Sequence, residues 1–352
     1  MDRRGGWGLV GLLVGALVWT AGPAVAKPEP PRPILNENFP DPAVVATGSG
    51  LVGFATGELT PAAWATSERG RWQRNGPALT RLPDWSSEGG VWAVDVVRAG
   101  GQWVMYYAAP VDGIVEYGRC IGVAVAARPR DRFRPVGGRP LVCPEYADTP
   151  RAEDTMEPVD VSLPRAGVID PSHFTDLDGM PYLLYKTDRI PSSIRIVPLS
   201  DDGLHVRKGL ISQELFRVDG VFENPHIIRR PRDFVMLVSR GDWTKCEYRT
   251  DWIRSPSLVD WSVVQSGILL EKRTSGLCGP GGADLVEIPG KKQPRLFFHA
   301  WTCHRRPEPC RGPKETKWDH HWKRYQGVRA LYAARVGWRQ GRPRIAGWVS
   351  GR

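Results

Sequence analysis

The chain has 352 residues and a formal net charge of +10, with 48 Lys and Arg residues against 38 Asp and Glu residues. Many of the basic residues are arginines in turn-like segments, so no single element carries the basic face that a nucleic-acid-binding module needs. A basic exterior suits an anionic polymer, and it serves general solubility equally well.

The N-terminus has the features of a signal peptide. Arg3 and Arg4 precede the apolar run Trp7–Trp19, and Ala24-Val25-Ala26 forms a small-residue cleavage site before Lys27. The apolar run is too short to span a membrane, and no later run reaches the necessary length. We therefore predict a secreted, extracellular protein with no membrane segment.

The rest of the chain reads as one all-β domain. Residues 27–33 form a Pro-rich lead after the signal peptide at 1–26, and no second linker interrupts residues 34–352. Helical periodicity is nearly absent, while short runs rich in Val, Tyr, Trp and Thr dominate. A chain of this length can remain a single domain.

One hairpin pattern recurs along this domain. Each copy has an acidic residue at the start of a first strand, and a second strand begins roughly ten residues later. The acids are Asp41, Asp95, Asp170, Glu223 and Asp284, and the second strands begin near Leu51, Trp103, Tyr182, Phe234 and Leu296. A hairpin unit repeated at long, similar intervals is typical of a blade architecture. We predict a five-bladed β-propeller.

Six cysteines in an exported chain predict three disulfides. Cys120 and Cys143 bracket a predicted hairpin, Cys303 and Cys310 close a short loop, and Cys246 is left to pair with Cys278. The rival interpretation is a metal site, which matches no zinc-ligand spacing. Its ligands would be Cys303, His304, Cys310, His320 and His321.

The recurring acids point to a shared site. The innermost strands of a propeller converge on a central channel, so an acid at the same position of several inner strands would be delivered to one place. Clustered carboxylates have separated pKa values, and glycoside hydrolysis needs one ionised base and one protonated acid at the same pH. Aromatic side chains near these strands suit stacking on sugar rings, although packing between blades explains each of them as well. They are Trp92, Trp103, Trp243 and Trp301.

Seven segments in order resemble glycoside hydrolase family 43, the five-bladed propellers of the arabinanase, arabinofuranosidase and β-xylosidase group. The resemblance runs from Asn36 to about Pro343, and its segments read NFPDPAVV, VWAVDVV, CIGVAVA, VIDPSHFTDLDGMPYLLY, VFENPHI, GPGGADLVEIPG and RALYAARVGW. It implies that Asp41 is the general base, Glu223 the general acid, and Asp170 the acid that orients Glu223 and raises its pKa. It also implies a substrate-binding role for Arg329, and we assign substrate contacts to Asp95, Trp92 and His299 as well.

The resemblance fails at one position that matters for a metal. The family has a histidine in its GPGH segment that helps to hold a channel ion, and Gly282 stands in its place here. We therefore expect no required cofactor. The alternative is a structural Ca²⁺ in the central channel, for which Asp284 or His299 would have to supply a replacement ligand.

These residues predict a secreted, inverting glycoside hydrolase that cleaves arabinofuranosyl linkages in plant-type or cell-wall polysaccharides. A β-xylosidase of the same fold is one alternative, and a sugar-binding propeller without activity is another. A serine or cysteine hydrolase is disfavoured, because the chain lacks a G-x-S-x-G elbow and its cysteines pair. The expected partner is a polysaccharide or oligosaccharide, with no nucleic acid and no membrane, and we expect a monomer.

Overall fold

The computed structural model describes residues 29–156, 162–303, 308–311, 318–319, 324–325 and 327–351. The predicted signal peptide lies outside the described residues, as do the first residues of the Pro-rich lead and His304, His320 and His321 of the rival metal site. Within the described ranges, no helix has the length and apolar character required to cross a bilayer.

The described residues form five four-stranded antiparallel sheets and one short hairpin. Each sheet takes its strands in chain order, and we number the sheets as blades I to V. Blade I contains β1 Ala43–Thr47, β2 Gly50–Phe54, β3 Pro61–Ala65 and β4 Gln73–Pro77. Blade II contains β5 Trp92–Ala99, β6 Gln102–Pro110, β7 Arg119–Ala126 and β8 Arg134–Val136. Blade III contains β9 Val168–Thr175, β10 Pro181–Thr187, β11 Ser192–Pro198 and β12 Gln213–Val218.

The last two blades follow the same order. Blade IV contains β13 Phe222–Arg229, β14 Phe234–Arg240, β15 Arg249–Ser255 and β16 Gln265–Leu270, and helix α1 Lys272–Ser275 follows it. Blade V contains β17 Cys278–Val286, β18 Arg295–Cys303, β21 Gly327–Arg339 and β22 Arg342–Val349, with the hairpin β19 Trp318–Asp319 and β20 Arg324–Tyr325 inserted between β18 and β21.

The first strands of the five sheets form a closed ring. Each of β1, β5, β9, β13 and β17 contacts the first strand of both neighbouring blades, including β17 with β1. Such a ring of sheets around a central channel is a five-bladed β-propeller. The predicted fold class is confirmed.

The hydrophobic core is divided into five layers, one between each pair of adjacent blades. The two-residue period of a strand explains this division, because successive side chains point to opposite faces of a sheet. In β6, Met105 and Tyr107 pack towards blade I, whereas Val104 and Tyr106 pack towards blade III. Burying one such side chain contributes about 1.5–3 kcal/mol, so each blade is stabilised on both faces.

The segment before β1 closes the ring by pairing with the last blade. The Ile34 N–H donates to the Leu331 carbonyl at 2.8 Å, and the Leu331 N–H donates to the Leu35 carbonyl at 3.0 Å. Phe39 is fully buried in the core layer that blades V and I share. The Arg295 guanidinium also meets Glu68 of blade I at 3.0 Å in a buried ion pair. Blades I and V are therefore joined by backbone hydrogen bonds, a shared hydrophobic core layer and an ion pair.

Each inner strand has a residue in the left-handed region near its start, either just before the strand or within its first five residues. These residues are Asp41 (φ 49°), Ala93 (φ 20°), Asp170 (φ 57°), Asn224 (φ 50°) and Gly282 (φ 60°). In blades II to V the pairing register shifts at this point, which marks a β-bulge. Asp, Asn and Gly adopt this conformation at the lowest cost, which gives a local reason for these residue types at strand starts.

The expectation that the recurring acids share one position was wrong in detail. Asp41 and Asp170 occupy the left-handed position itself, whereas Glu223 comes one residue before Asn224. Asp95 and Asp284 come two residues after Ala93 and Gly282 and lie within β5 and β17. Because side chains alternate along a strand and the bulge re-aims them, these offsets direct the five carboxyl groups to different depths.

All three predicted disulfides are present. Cys120 of β7 bonds Cys143 in the segment after β8, and Cys303 at the end of β18 bonds Cys310. Cys246 lies in the loop between β14 and β15 and bonds Cys278, the first residue of β17. That bond links blade IV to blade V at the end of the ring where the inner strands begin.

The Cys246–Cys278 disulfide should stabilise the fold more than the Cys303–Cys310 disulfide does. It closes 32 residues of unfolded chain, against 7 for Cys303–Cys310. Replacing Cys246 and Cys278 by serine is expected to lower the free energy of unfolding by about 3–4 kcal/mol, and replacing the other pair by about 1 kcal/mol less. Denaturant titration of both double variants measures the difference. A larger loss from the short loop would contradict this expectation.

Candidate active site

Side chains of the preceding blade accept the N–H groups of four of these left-handed residues. A bulge residue leaves the regular ladder, so its buried N–H needs another acceptor. The four such bonds are Ala93 N–H to Thr56 Oγ1 at 2.8 Å, Asn224 N–H to Asp170 Oδ2 at 2.9 Å, Gly282 N–H to Ser239 Oγ at 2.8 Å, and Asp41 N–H to His299 Nδ1 at 3.1 Å. These bonds fasten the inner ends of neighbouring blades to one another.

A cavity of about 390 Å³ opens where the inner strands begin. It is lined by side chains from several blades, among them Asp41, Trp92, Asp170, Glu223, Trp243 and Arg329. The structure therefore brings together the three acids that the resemblance implied to be catalytic, although up to 182 positions (223 − 41) separate them in the chain. We call this space the acid cavity.

Asp41 lies among groups that favour its ionised form. Arg329 Nη1 is 3.3 Å from both carboxylate oxygens, and the Thr56 hydroxyl donates to Oδ2 at 2.8 Å. Burial raises the pKa of Asp41, but the charge of Arg329 and the hydrogen bond from Thr56 outweigh burial, so the pKa lies below the ordinary 3.8. Asp41 is therefore a carboxylate at neutral pH, able to accept a proton from a nearby water.

Asp170 and Glu223 form a second acidic group with the opposite tendency. Asp170 is only 6% exposed. Burial and the neighbouring charge of Glu223 raise the pKa of Asp170 to about 8. Because the charge of Glu223 acts on the buried Asp170, the two carboxyl groups do not both ionise easily, and the pair retains a proton at neutral pH. The acid cavity thus holds an ionised carboxylate beside a pair that carries a proton.

Two residues that the sequence analysis did not identify hold Glu223. The Tyr248 hydroxyl lies 2.7 Å from Glu223 Oε1, and Lys186 Nζ lies 3.4 Å from Oε2. Lys186 occupies an otherwise apolar run, YLLYKTD, and a lysine inside a buried strand was a signal that could have revealed it. Tyr248 and Thr56 had no comparable signal, because both lie in loops.

Asp95 and Asp284 lie deeper, beside a narrow channel of about 40 Å³. The Asp95 carboxylate accepts the N–H groups of His173 and of Val96. Asp284 Oδ2 accepts the Val44 N–H at 2.7 Å. Burial raises the pKa of Asp95 to about 6. Their hydrogen bonds go to the backbone of their own and of the following blade, and neither residue lines the acid cavity.

His299 lies behind Asp41 and is completely buried. Its ring stacks on Tyr248 with 5.8 Å between centroids, and its Nδ1 accepts the Asp41 N–H. Burial lowers the pKa of His299 to about 3, so the ring is neutral and fits this acceptor role. His299 therefore supports the backbone of Asp41 and does not line the acid cavity.

Two of the four candidate tryptophans reach the acid cavity. Trp92 lines it, with the Arg119 guanidinium 3.3 Å from the centre of its ring. Trp243 also lines it and stacks on the buried Trp301, with 6.2 Å between centroids. Trp103 packs against the core layer between blades I and II. Trp92 and Trp243 are thus the two candidate surfaces for a sugar ring, while Trp301 supports one of them.

The surroundings of Gly282 do not fit a metal ligand. A Cβ atom at this position would lie 2.8 Å from His299 Nδ1 and 3.0 Å from the Asp41 Cα, in a left-handed backbone. Across the described parts of the chain, no group of three or more His, Cys, Asp or Glu side chains is arranged to hold an ion. The described residues therefore do not form the family's cation site, and we assign no role to a metal.

Arg329 should control the ionisation of Asp41. Replacing Arg329 by Met removes the compensating charge, so the pKa of Asp41 is expected to rise by about one unit or more. Asp41 has a lowered pKa, so it stabilises the fold above its unfolded-state pKa, and this contribution is lost as the pH falls. The variant should lose that contribution. Carboxyl-carbon NMR titration measures the shift, and Arg339→Met, at an exposed position of the same strand, should leave it unchanged. An unaltered Asp41 titration in Arg329→Met would contradict the assignment.

Comparison with known proteins gives the same result as the geometry. Residues 30–341 match the family model described as Glycosyl hydrolases family 43. The fold is similar to a thermostable family-43 glycoside hydrolase, with a TM-score of 0.66, 19% identity, and 90% of this chain and 95% of that chain covered. It is also similar to an endo-1,4-beta-xylanase from Bacteroides thetaiotaomicron, with a TM-score of 0.65, 17% identity, and 90% and 97% covered.

A third similar structure is the Cellvibrio cellulosa alpha-L-arabinanase complexed with arabinohexaose, with a TM-score of 0.63, 17% identity, and 88% of this chain and 96% of that chain covered. No curated protein sequence matches the chain. At these identities the structures show a common fold, while the family match spans most of the chain. The protein therefore belongs to glycosyl hydrolase family 43 and is a glycoside hydrolase.

Proposed function

We propose that the protein is an exported, inverting glycosidase that cleaves arabinofuranosyl linkages in plant-type or cell-wall polysaccharides. The observation that carries this proposal is the pairing of opposite ionisation tendencies in one cavity. Asp41 is held ionised by Arg329 and Thr56, while the Asp170–Glu223 pair retains a proton. An inverting glycosidase needs such a base and such an acid at the same pH.

In this mechanism Asp41 accepts a proton from a water molecule as that water attacks the anomeric carbon. Glu223 donates its proton to the oxygen of the leaving group as the glycosidic bond breaks. Asp170 orients the acid through the inner strand, since its carboxylate accepts the N–H of Asn224, the residue after Glu223. After one turnover Asp41 is protonated and Glu223 is ionised, and exchange with solvent restores both.

The sugar is proposed to be bound by Trp92 and Trp243, with Arg329 between the base and the substrate. Arg329 lies 4.5 Å over the Trp243 ring, so it is held by stacking as well as by Asp41. A xylosyl linkage is the second candidate, because one of the similar solved structures is that of an endo-1,4-beta-xylanase. The three acids together weigh against a propeller that only binds sugars.

The catalytic assignment predicts different losses for different substrates. General acid catalysis contributes about 10²–10⁴ in rate, most of it where the leaving group is poor. Glu223→Ala should therefore lose about that factor on arabinan or arabinoxylan, yet keep most activity on aryl glycosides with a good leaving group. Asp41→Ala should lose activity on both, because no base activates the water. Steady-state kinetics on debranched arabinan, an aryl α-L-arabinofuranoside and an aryl β-D-xyloside provide the test, with and without chelator.

Glu247→Ala, at an exposed position in the loop that carries Trp243, is the matched control and should behave as the unaltered enzyme. Proton NMR of the first-formed sugar should show the inverted anomer. Net retention, or full activity of Glu223→Ala on polysaccharide, would refute the mechanism. Loss of activity in chelator that calcium restores would refute the proposal that no metal is required.

Export is supported by the cysteines, since no free cysteine occurs among the residues that the structure describes. Disulfides form and persist in oxidising compartments. We expect the protein secreted by its own host to begin at Lys27, which N-terminal sequencing checks. Recovery of the intact N-terminus from the cell interior would contradict export.

A further inference from the structure

A buried lysine adjoins the acid pair. Lys186 lies on β10, is 3% exposed, and is paired across the sheet with Ile169, the residue before Asp170. Its ammonium is 3.4 Å from Glu223 Oε2. A lysine is almost never buried this far unless it is paired, so the contact with the acid pair is the reason that this charge is tolerated.

The charged and titratable groups around this lysine come from β9, from β13 and from the segment just after β10. Asp170 lies on β9, Glu223 on β13 and Asp188 just after β10, and all three interact electrostatically with Lys186. Glu223 is faced in addition by the Tyr248 hydroxyl. Of the cations that line the acid cavity, Arg329 is bound to Asp41 and Arg189 lies 3.7 Å from Asp188. Lys186 is therefore the cation of the acid pair.

The net charge of the Asp170–Glu223 pair together with Lys186 indicates what the lysine does. Asp188 has its own cations, since Arg189 lies 3.7 Å away and Arg119 also interacts with it, so it is left out of the count. The two carboxylates of the acid pair and the one ammonium have a net charge of −1, so a single bound proton makes the group neutral and a second proton would make it positive. A net charge in a poorly solvated site is expensive, so the state with one proton is favoured. Without the ammonium, the neutral state would contain two protons.

We propose that Lys186 is a positioning residue whose ammonium limits the Asp170–Glu223 pair to one proton, so that the acid can be protonated while Asp170 remains ionised. This inference rests on the proposed function, in which Glu223 supplies a proton and Asp170 acts through its negative charge. Lys186 itself does not touch the substrate.

The hydrogen bonds of Tyr248 show how the single proton can reside on Glu223. The Tyr248 hydroxyl lies 2.7 Å from Glu223 Oε1 and 3.1 Å from Asn224 Oδ1. Tyrosine has one hydroxyl proton, so it cannot donate to both oxygens at once. If Glu223 is protonated on Oε1, it donates to Tyr248, and Tyr248 donates to Asn224. Lys186 at the same time occupies Oε2, which directs the proton to Oε1.

The test is a carboxyl NMR titration of the substrate-free protein labelled at its Asp and Glu carboxyl carbons. Lys186→Met keeps the length of the side chain and removes the charge, and both ionisation steps of the pair are expected to move upwards by about 1–3 pH units. Lys186→Arg keeps the charge and should leave them within the range of the unaltered protein. Lys291→Met removes an exposed charge from the opposite end of blade V and is the matched control. Lys186→Gln replaces the Met variant if thermal unfolding shows that the latter is unfolded.

Activity gives an independent measurement. On a polysaccharide the basic limb of the kcat profile should move to higher pH in Lys186→Met, while an aryl glycoside that needs no acid should show no such shift. Unchanged titration steps in Lys186→Met would overturn the inference even in an enzyme that cleaves glycosides. Shifted steps in a protein that cleaves no glycoside would overturn the proposed function and leave the proton count standing.

Discussion

The hydrogen bond between a strand-start bulge and the preceding blade is the interaction on which this structure depends. A left-handed residue at the head of an inner strand takes its N–H out of the sheet, and an unsatisfied buried N–H costs about 1–3 kcal/mol. Thr56, Asp170, Ser239 and His299 each accept one such N–H from the next blade. The same bonds therefore join neighbouring blades and hold the inner strands near their start.

This constraint accounts for the double role of Asp170. Its own backbone occupies a left-handed position, and its carboxylate accepts the N–H of Asn224. Asp170 thus joins blades III and IV at the place where Glu223 enters the acid cavity. His299 does the equivalent for Asp41 between blades V and I. The positions of Asp41 and Glu223 and the joining of neighbouring blades consequently depend on the same hydrogen bonds.

Because the acids lie at different positions relative to the bulge, they have different electrostatic surroundings. Asp41, Asp170 and Glu223 line the acid cavity, where Arg329 and Lys186 supply positive charge. Asp95 and Asp284 lie outside the lining of that cavity, beside the narrow channel, and use their oxygens to accept backbone N–H groups. A carboxylate beside a guanidinium and a pair of carboxylates beside one ammonium titrate differently, so one fold gives the same side-chain chemistry opposite ionisation tendencies.

Disulfides and aromatic side chains pack behind the wall of the acid cavity. Trp243 stacks on Trp301, and the cysteines of two disulfides pack with Trp301 in one cluster. Cys246 lies between Trp243 and Tyr248 in the β14–β15 loop, so its bond to Cys278 restrains both residues. A loop that carries an aromatic ring of the cavity wall and a hydrogen-bond partner of Glu223 is thereby held without regular secondary structure.

Local properties of the chain were sufficient for the blade count, for the three disulfides and for finding the three acids that line the acid cavity. One hairpin contains alternating apolar residues, turn residues and an acid beside proline, and this hairpin recurs along the chain. The approach of Lys186 to Glu223, the stacking of His299 behind Asp41 and the depth of Asp95 depended on the tertiary structure. Each of these features joins two blades, or depends on which way a bulge turns a side chain. Contacts across a closed ring are set by how the blades pack together, and no local pattern in the sequence records that packing.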